Sequence, residues 1–288
     1  MSVVSGTTRL NEGGTRHKLQ AAIVHPGYDV DDSWLHDIAL IKVVEPFHLD
    51  GVKVAAATLP QQGQPVQDDD VAIIVGWGLV QETDTQPSER LQKAELRIVN
   101  QLECQCAYKS VGEQVHDTNL CAGVLQGGIG ACQGDSGGPL FVDGVLVGLT
   151  SFSLGCARPN FPAVFTRVAS YIDWINQHVQ CRLPPTRLRR ATVRRRDGGR
   201  RVGACAWSRG GRPGRRRERV PQPGEYRAAA AAAAAAAALL WHHLVLPSLS
   251  VQVQRPEEPP SYRHACGGVV LNQYWALTAA HCIASRLQ

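Results

Sequence analysis

The sequence has no run of apolar residues long enough to span a membrane. Its longest apolar run is an alanine tract with a short extension, residues 228–241 of 288, whereas a transmembrane helix needs about 20 residues. Arginines precede this run, as in a secretion signal, but the run lies deep inside the chain. Residues 1–6 show no charged region followed by an apolar core. We therefore expect no membrane partner and no secretion signal at the N-terminus.

Signals for metals and nucleic acids are also scarce. Cys104 and Cys106 form one Cys-x-Cys pair, without the second ligand pair that a structural zinc site needs. Residues 182–227 hold sixteen arginines and three acidic residues, with few aromatic residues among them and no RNA-binding signature. We expect no metal, no cofactor and no nucleic-acid partner. A basic interaction protein that binds polyanions through residues 182–227 is a distant alternative.

Three short motifs carry the residue types of a nucleophilic triad. Asp37 lies in His-Asp-Ile-Ala-Leu, Ser136 in Gly-Asp-Ser-Gly-Gly-Pro, and His281 in Thr-Ala-Ala-His-Cys. A serine hydroxyl attacks a carbonyl carbon when a histidine takes its proton and a carboxylate holds that histidine in the right tautomer. The backbone amides of Gly134 and Ser136 would stabilise the developing oxyanion. The motifs therefore predict Ser136 as nucleophile, His281 as base and Asp37 as the orienting carboxylate.

These motifs resemble the Asp, Ser and His signatures of the chymotrypsin-like serine peptidases, the trypsin and chymotrypsin family. The resemblance covers about four fifths of the chain. It implies an all-β fold of two packed six-stranded antiparallel β-barrels with a closing helix. It also implies a monomeric, extracellular serine endopeptidase that hydrolyses proteins or peptides and is open to protein protease inhibitors.

The order of the motifs differs from that of the family, in which the His motif comes first. Residues 246–284 resemble the family's opening strands and His motif, and residues 1–60 resemble the part that follows them. Each segment occurs once, so we expect the first barrel to be assembled from both chain ends. Residues 168–179 place apolar side chains on one helical face, which matches the family's closing helix.

The nine cysteines indicate an oxidising compartment. The resemblance implies three disulfides: Cys266 with Cys282, Cys132 with Cys156, and Cys121 with either Cys104 or Cys106. Because the total is odd, at least one thiol is free or intermolecular.

The resemblance also locates a specificity pocket. Where trypsin-like members have an aspartate, six residues before the serine, this chain has Gly130. The wall positions fall on Ser153 and Ala163. Because none of these side chains is charged, the interpretation is a pocket that prefers an apolar side chain at the cleaved position.

Activation is the point at which the resemblance is incomplete. Family members bury a new N-terminal amine against the aspartate before the catalytic serine, which here is Asp135. No activating Ile-Val-Gly-Gly type sequence precedes residue 246. A buried carboxylate without its cation is costly, and an oxyanion hole that depends on this pair would lose its support. A catalytically inactive homologue is therefore the main alternative.

Composition divides the chain into three parts. Residues 1–181 hold the Asp and Ser portion, residues 182–245 form a linker rich in Arg, Gly, Pro and Ala, and residues 246–288 hold the His portion. The linker has too little apolar surface to offset its ordering entropy and is expected to be disordered. Either a circular permutation or a chimaeric translation product of two peptidase copies explains this order.

Overall fold

The computed structural model describes residues 1–179, 247–254 and 261–284. They form two closed, six-stranded antiparallel β-barrels, as the sequence predicted. The first barrel contains β1 (Ser2–Ser5), β2 (Thr15–Val24), β3 (Ala39–Val43), β10 (Ser248–Gln254), β11 (Tyr262–Val270) and β12 (Trp275–Thr278). The second contains β4 (Val71–Gly76), β5 (Gln92–Val99), β6 (Asn119–Gly123), β7 (Pro139–Val142), β8 (Val145–Phe152) and β9 (Ala163–Arg167).

Three short helices accompany the barrels within the described ranges. They are α1 (Gln101–Lys109), α2 (Ile172–Val179) and α3 (His281–Ala284). The predicted apolar face of α2 is turned inward, with Ile172 and Ile175 buried. Among the described residues, no helix has the length and apolar character needed to cross a bilayer.

Both chain portions are interleaved in the first barrel, which confirms that it is assembled from the two ends. Its strand order is β1-β10-β11-β12-β3-β2. Two seams join the portions: Val3 pairs with Val251 between β1 and β10, and Leu40 with Leu277 between β3 and β12. The predicted linker, residues 182–245, lies outside the described residues, so its disorder and the three part boundaries stay predictions.

Alternation of apolar and polar residues explains why a segment such as β10 forms a strand. Leu249 and Val251 lie in the core of the first barrel, at the period of two of a strand. The polar residues Ser250 and Gln252 alternate with them and are buried as well. A separate apolar cluster lies between the barrels, where Leu40 and Leu277 pack with Phe141 of β7. This shared cluster fixes the two barrels face to face.

Glycine permits the closest approach between the barrels. Gly137 has φ +73°, and a Cβ there would overlap Thr278 Oγ1 and lie 2.8 Å from Ala279 N. Next to it, a Cβ on Gly267 would lie 2.8 Å from Gly138 Cα. The serine loop therefore reaches the His motif only because side chains are absent at this contact.

Candidate active site

Asp37 and His281 are paired although they stand 244 residues apart in the chain. The pairing of Thr278 with Ala39 between β12 and β3 brings their neighbours together. His281 Nδ1 lies 2.7 Å from Asp37 Oδ2, and the His281 amide donates to Oδ1 at 2.9 Å. Asp37 is fully buried and His281 partly exposed. The carboxylate therefore fixes which imidazole nitrogen faces inward.

Ser136 lies at the same interface, directly before β7. The Gly267 amide donates to the Ser136 carbonyl oxygen at 2.8 Å, and Cys282 Sγ lies 3.7 Å from that oxygen. Because Cys282 follows His281, the serine loop packs against the first turn of α3. The structure thus brings the three predicted triad residues to one seam between the barrels.

The loop around Ser136 leaves two amides available. The neighbouring amides of Asp135, Gly137 and Gly138 donate to backbone oxygens at 2.7–3.0 Å. The amides of Gly134 and Ser136 make no hydrogen bond to the described residues. Gly134 has φ +97°, a conformation that favours glycine. Two unengaged amides beside a serine hydroxyl are what an oxyanion hole requires.

His264 of β11 holds the Gly134 peptide from behind. Its Nε2 donates to the Gly134 carbonyl oxygen at 2.8 Å, and its Nδ1 lies 2.8 Å from Ser250 Oγ. Burial lowers the pKa of His264, while the bond to Gly134 acts in the opposite direction. A neutral His264 with its proton on Nε2 satisfies both contacts.

Asp135 is a buried carboxylate without a paired cation among the described residues. The Gly78 amide donates to its Oδ1 at 2.9 Å and the Cys132 amide to its Oδ2 at 3.0 Å. Burial raises its pKa, and the two amide bonds oppose that rise. A Cβ on Gly78 would overlap Oδ2, so glycine is needed for the carboxylate to fit.

Gly130 and Ser153, two of the three residues predicted to line a specificity pocket, lie close in sequence to the Cys132–Cys156 disulfide. Ala163 is buried in β9, whereas Gly130 and Ser153 are partly exposed. The Ser153 hydroxyl donates to the Gly155 carbonyl oxygen at 2.6 Å. None of the three predicted lining residues carries a charge.

One group of possible metal ligands occurs among the described residues. Ligand atoms of Cys266, His281 and Cys282 lie within 4.8 Å of one another. However, the two cysteines are joined in a disulfide, so they cannot supply the thiolates that bind zinc.

Comparison with known proteins shows which family this chain belongs to. The trypsin family model matches residues 1–175 and 247–288. A trypsin from Blomia tropicalis, Blo t 3, is 38% identical over 61% of this chain and 66% of its own length. A trypsin from Simulium vittatum is 40% identical over 57% and 64%, and alkaline trypsin B of Manduca sexta is 36% identical over 61% and 68%.

The chain belongs to the trypsin family. Its fold and sequence are chymotrypsin-like. The family model matches the chain both before and after the undescribed segment that begins at residue 180. The chain spans about two thirds of the length of the curated trypsins that it matches.

Two contacts to Asp37 were not predicted from the sequence. Ser151 Oγ donates to Asp37 Oδ2 at 2.6 Å, and Thr166 Oγ1 donates to the Asp37 carbonyl oxygen at 2.7 Å. Both come from the second barrel, from β8 and β9. No local pattern marks these hydroxyls, because ordinary strand residues carry them.

Three disulfides occur in the described part of this trypsin-family chain. They join Cys104 to Cys121, Cys132 to Cys156 and Cys266 to Cys282. The choice that the sequence left open thus falls on Cys104, and Cys106 is free and exposed. Cys181 and Cys205 lie outside the described residues.

Proposed function

We propose that this protein is an extracellular serine endopeptidase that hydrolyses peptide bonds through Ser136, His281 and Asp37. The observation that carries the proposal is the buried Asp37 carboxylate, bonded to His281 Nδ1 at 2.7 Å. Such a pair selects one imidazole tautomer and stabilises the imidazolium that forms when the serine is deprotonated.

The reaction follows from these roles. Ser136 Oγ attacks the carbonyl carbon while its proton passes to His281 Nε2, and the carbonyl electron pair becomes an oxyanion. The amides of Gly134 and Ser136 donate to that oxyanion; one such donor typically contributes about 10²- to 10³-fold in rate. His281 then protonates the leaving amine, and water repeats the sequence on the acyl-enzyme. Ser151 and His264 hold Asp37 and the Gly134 peptide, respectively.

The proposed substrates are proteins or peptides with an apolar residue at the cleaved position. Gly130, Ser153 and Ala163 offer no carboxylate to an Arg or Lys side chain. The relatives carry the name trypsin, so the competing hypothesis is a preference for a basic residue at the cleaved position. Peptides that differ only by Phe, Leu, Ala or Arg at that position separate the two. A preference for Arg contradicts the apolar assignment.

A catalytically inactive homologue is the second candidate, and Asp135 favours it. This buried carboxylate has two amide donors but no cation among the described residues. If the serine loop needs that cation to keep its conformation, only a fraction of the molecules has a formed oxyanion hole. Protein inhibitors, a monomeric state and polyanion binding by residues 182–227 stay predictions, as does the origin of the permuted order.

A fluorophosphonate reagent tests the first candidate, because it labels an activated serine without needing a natural substrate. We expect labelling of Ser136 that is lost in Ser136→Ala and in His281→Ala. His48→Ala is the matched control, since His48 is exposed in the first barrel. Folded protein with its three disulfides intact and no labelling would reject the endopeptidase in favour of the inactive homologue.

An added cation tests why such a protein would be inactive. A Cβ on Gly76 would overlap Asp135 Oδ1. Because Gln92 pairs directly with Gly76 across β4 and β5, its side chain starts from the same face of the sheet. Gln92→Lys should raise the labelling rate if a missing counter-charge limits the site. Gln67→Lys adds the same charge at an exposed position and should change nothing. Equal rates in both variants would exclude the counter-charge explanation.

A further inference from the structure

The loop that delivers Asp37 has a strained backbone. Ser33, Trp34 and His36 all have positive φ, at 48°, 55° and 55°. L-residues other than glycine rarely adopt this conformation, and it persists only where the surroundings hold it. The loop therefore needs tertiary contacts to keep Asp37 in place.

His36, directly before Asp37, makes such a contact. Its Nδ1 lies 2.8 Å from the hydroxyl of Tyr171, which precedes α2 and is 4% exposed. The Ile38 amide donates to the His36 carbonyl oxygen at 2.8 Å, which closes a tight turn around Asp37. The imidazole of His36 thus connects the start of this turn to the segment directly before α2.

We propose that His36 is a positioning residue, whose hydrogen bond to Tyr171 fixes the left-handed turn that aims the Asp37 carboxylate at His281. The kinetic part of this proposal rests on the proposed endopeptidase activity; the geometric part does not. Misplacing a reacting group by about 1 Å can cost on the order of 10²-fold in rate, so a small rotation of Asp37 has a measurable effect.

Further histidines make the turn sensitive to acid. The rings of His25 and His36 lie 4.6 Å apart. The Gly27 amide donates to His25 Nδ1 at 3.2 Å, so that nitrogen carries no proton. A Cβ on Gly27 would lie 2.8 Å from His36 Cδ2, which shows how tightly the pair is enclosed. Protonation of His36 would therefore place a positive charge beside the closely packed ring of His25.

The charged and titratable groups around His36 come from each element that packs against the turn. His25 follows β2, Tyr171 and His178 belong to the segment of α2, and His116 and Asp32 face His36 from the loops. Burial lowers the pKa of His36, His116 lowers it further, and Asp32 opposes them. His36 therefore takes up a proton only at a pH below the ordinary range of histidine.

Three variants separate positioning from general stability. His36→Asn keeps a hydrogen-bonding group near the position of Nδ1, tolerates positive φ and cannot titrate in this range. We expect it to keep kcat at pH 8 within about twofold, whereas His36→Ala and Tyr171→Phe lose about 10-fold in kcat at unchanged KM. His48→Asn is the exposed control. A lower melting temperature without a loss of kcat in His36→Ala and Tyr171→Phe would overturn the proposal.

The pH profile gives a second kinetic readout. Below about pH 6.5, the kcat/KM of the wild type should fall more steeply than that of His36→Asn, because only the wild type can protonate the residue before Asp37. His36→Asn should keep the shallower slope. Identical slopes in the two proteins would refute the acid sensitivity of the turn.

An NMR readout applies even if the chain hydrolyses nothing. The proton between His281 Nδ1 and Asp37 should give a low-field signal that shifts or broadens in His36→Ala and Tyr171→Phe but not in His36→Asn or His48→Asn. An unchanged signal in all four full-length variants would reject the positioning role. Absence of hydrolysis with the expected signal pattern would reject only the endopeptidase.

Discussion

The two barrels reach the same architecture by different routes. The second barrel uses one continuous stretch of chain, residues 71–167, and contains two disulfides. The first combines strands from both chain ends, and its single described disulfide, Cys266–Cys282, lies within one portion. Within the described residues, no disulfide joins its two portions, which are held together by strand pairing, core packing and side-chain contacts such as Asp37–His281. The proposed base and its orienting carboxylate lie on opposite sides of such a seam.

The largest expected effect comes from breaking the polar pair across that seam. Asp37→Asn keeps the shape but gives His281 Nδ1 a partner that can impose the wrong tautomer, and the expected loss in kcat is about 10⁴-fold. Steady-state kinetics on a peptide ester would measure it. Asp143→Asn, in an exposed turn of the second barrel, is the control. A loss below about tenfold would show that Asp37 does not orient the base.

Removing one disulfide from each barrel compares their reliance on covalent links. Cys266–Cys282 and Cys104–Cys121 have sequence separations of 16 and 17 residues. Loops of this length contribute about 3 kcal/mol, so the paired serine variants should lower the free energy of unfolding by similar amounts. Urea denaturation would measure both. A much larger loss in the first barrel would mean that its disulfide also holds the two portions together.

A methyl group at the contact between the barrels has a smaller effect. Gly137→Ala meets Thr278 Oγ1 and must adopt φ +73°, and such strain costs about 1–3 kcal/mol. Gly51→Ala has nearly the same φ, +69°, with nothing within 4 Å, so it isolates the backbone part. Thermal denaturation should show a larger drop for Gly137→Ala. Equal drops would contradict a close contact between the barrels.

The smallest expected effects are pH dependences of opposite sign. Burial raises the pKa of Asp135 in the second barrel, so its contribution to the free energy of unfolding is present below about pH 4 and is lost as pH rises through the folded pKa. Burial lowers the pKa of His17 in the first barrel, so its contribution is present above about pH 6.5 and is lost as pH falls.

Denaturation across pH would check both contributions. Asp135→Asn should remove the decrease in the free energy of unfolding that accompanies rising pH, whatever the variant does to that free energy at a single pH. His17→Gln should remove the loss on acidification below pH 6.5. If each variant retains the wild-type slope, burial of these side chains does not control the pH dependence.

The local motifs, and the family resemblance that they carry, predicted much of this fold. The motifs Gly-Asp-Ser-Gly-Gly-Pro and Ala-Ala-His-Cys identified Ser136 and His281, because a catalytic serine and histidine need particular neighbouring residues to set the backbone around them. Ser151, His264 and His36 were not recognised. Each acts through a partner distant in sequence, such as Asp37, Gly134 or Tyr171, and a strand or loop residue carries no local sign of such a partner.

By itself, the sequence determined the residue types of the proposed triad, because short motifs are local properties, and its resemblance to the trypsin and chymotrypsin family implied the two barrels. It also predicted that both ends share one barrel. Tertiary structure alone decided that Cys104 rather than Cys106 pairs with Cys121, that Asp37 has hydroxyl donors from the second barrel, and that Asp135 is buried without a cation among the described residues. Those outcomes depend on which side chains meet when the barrels pack, and sequence spacing does not fix that.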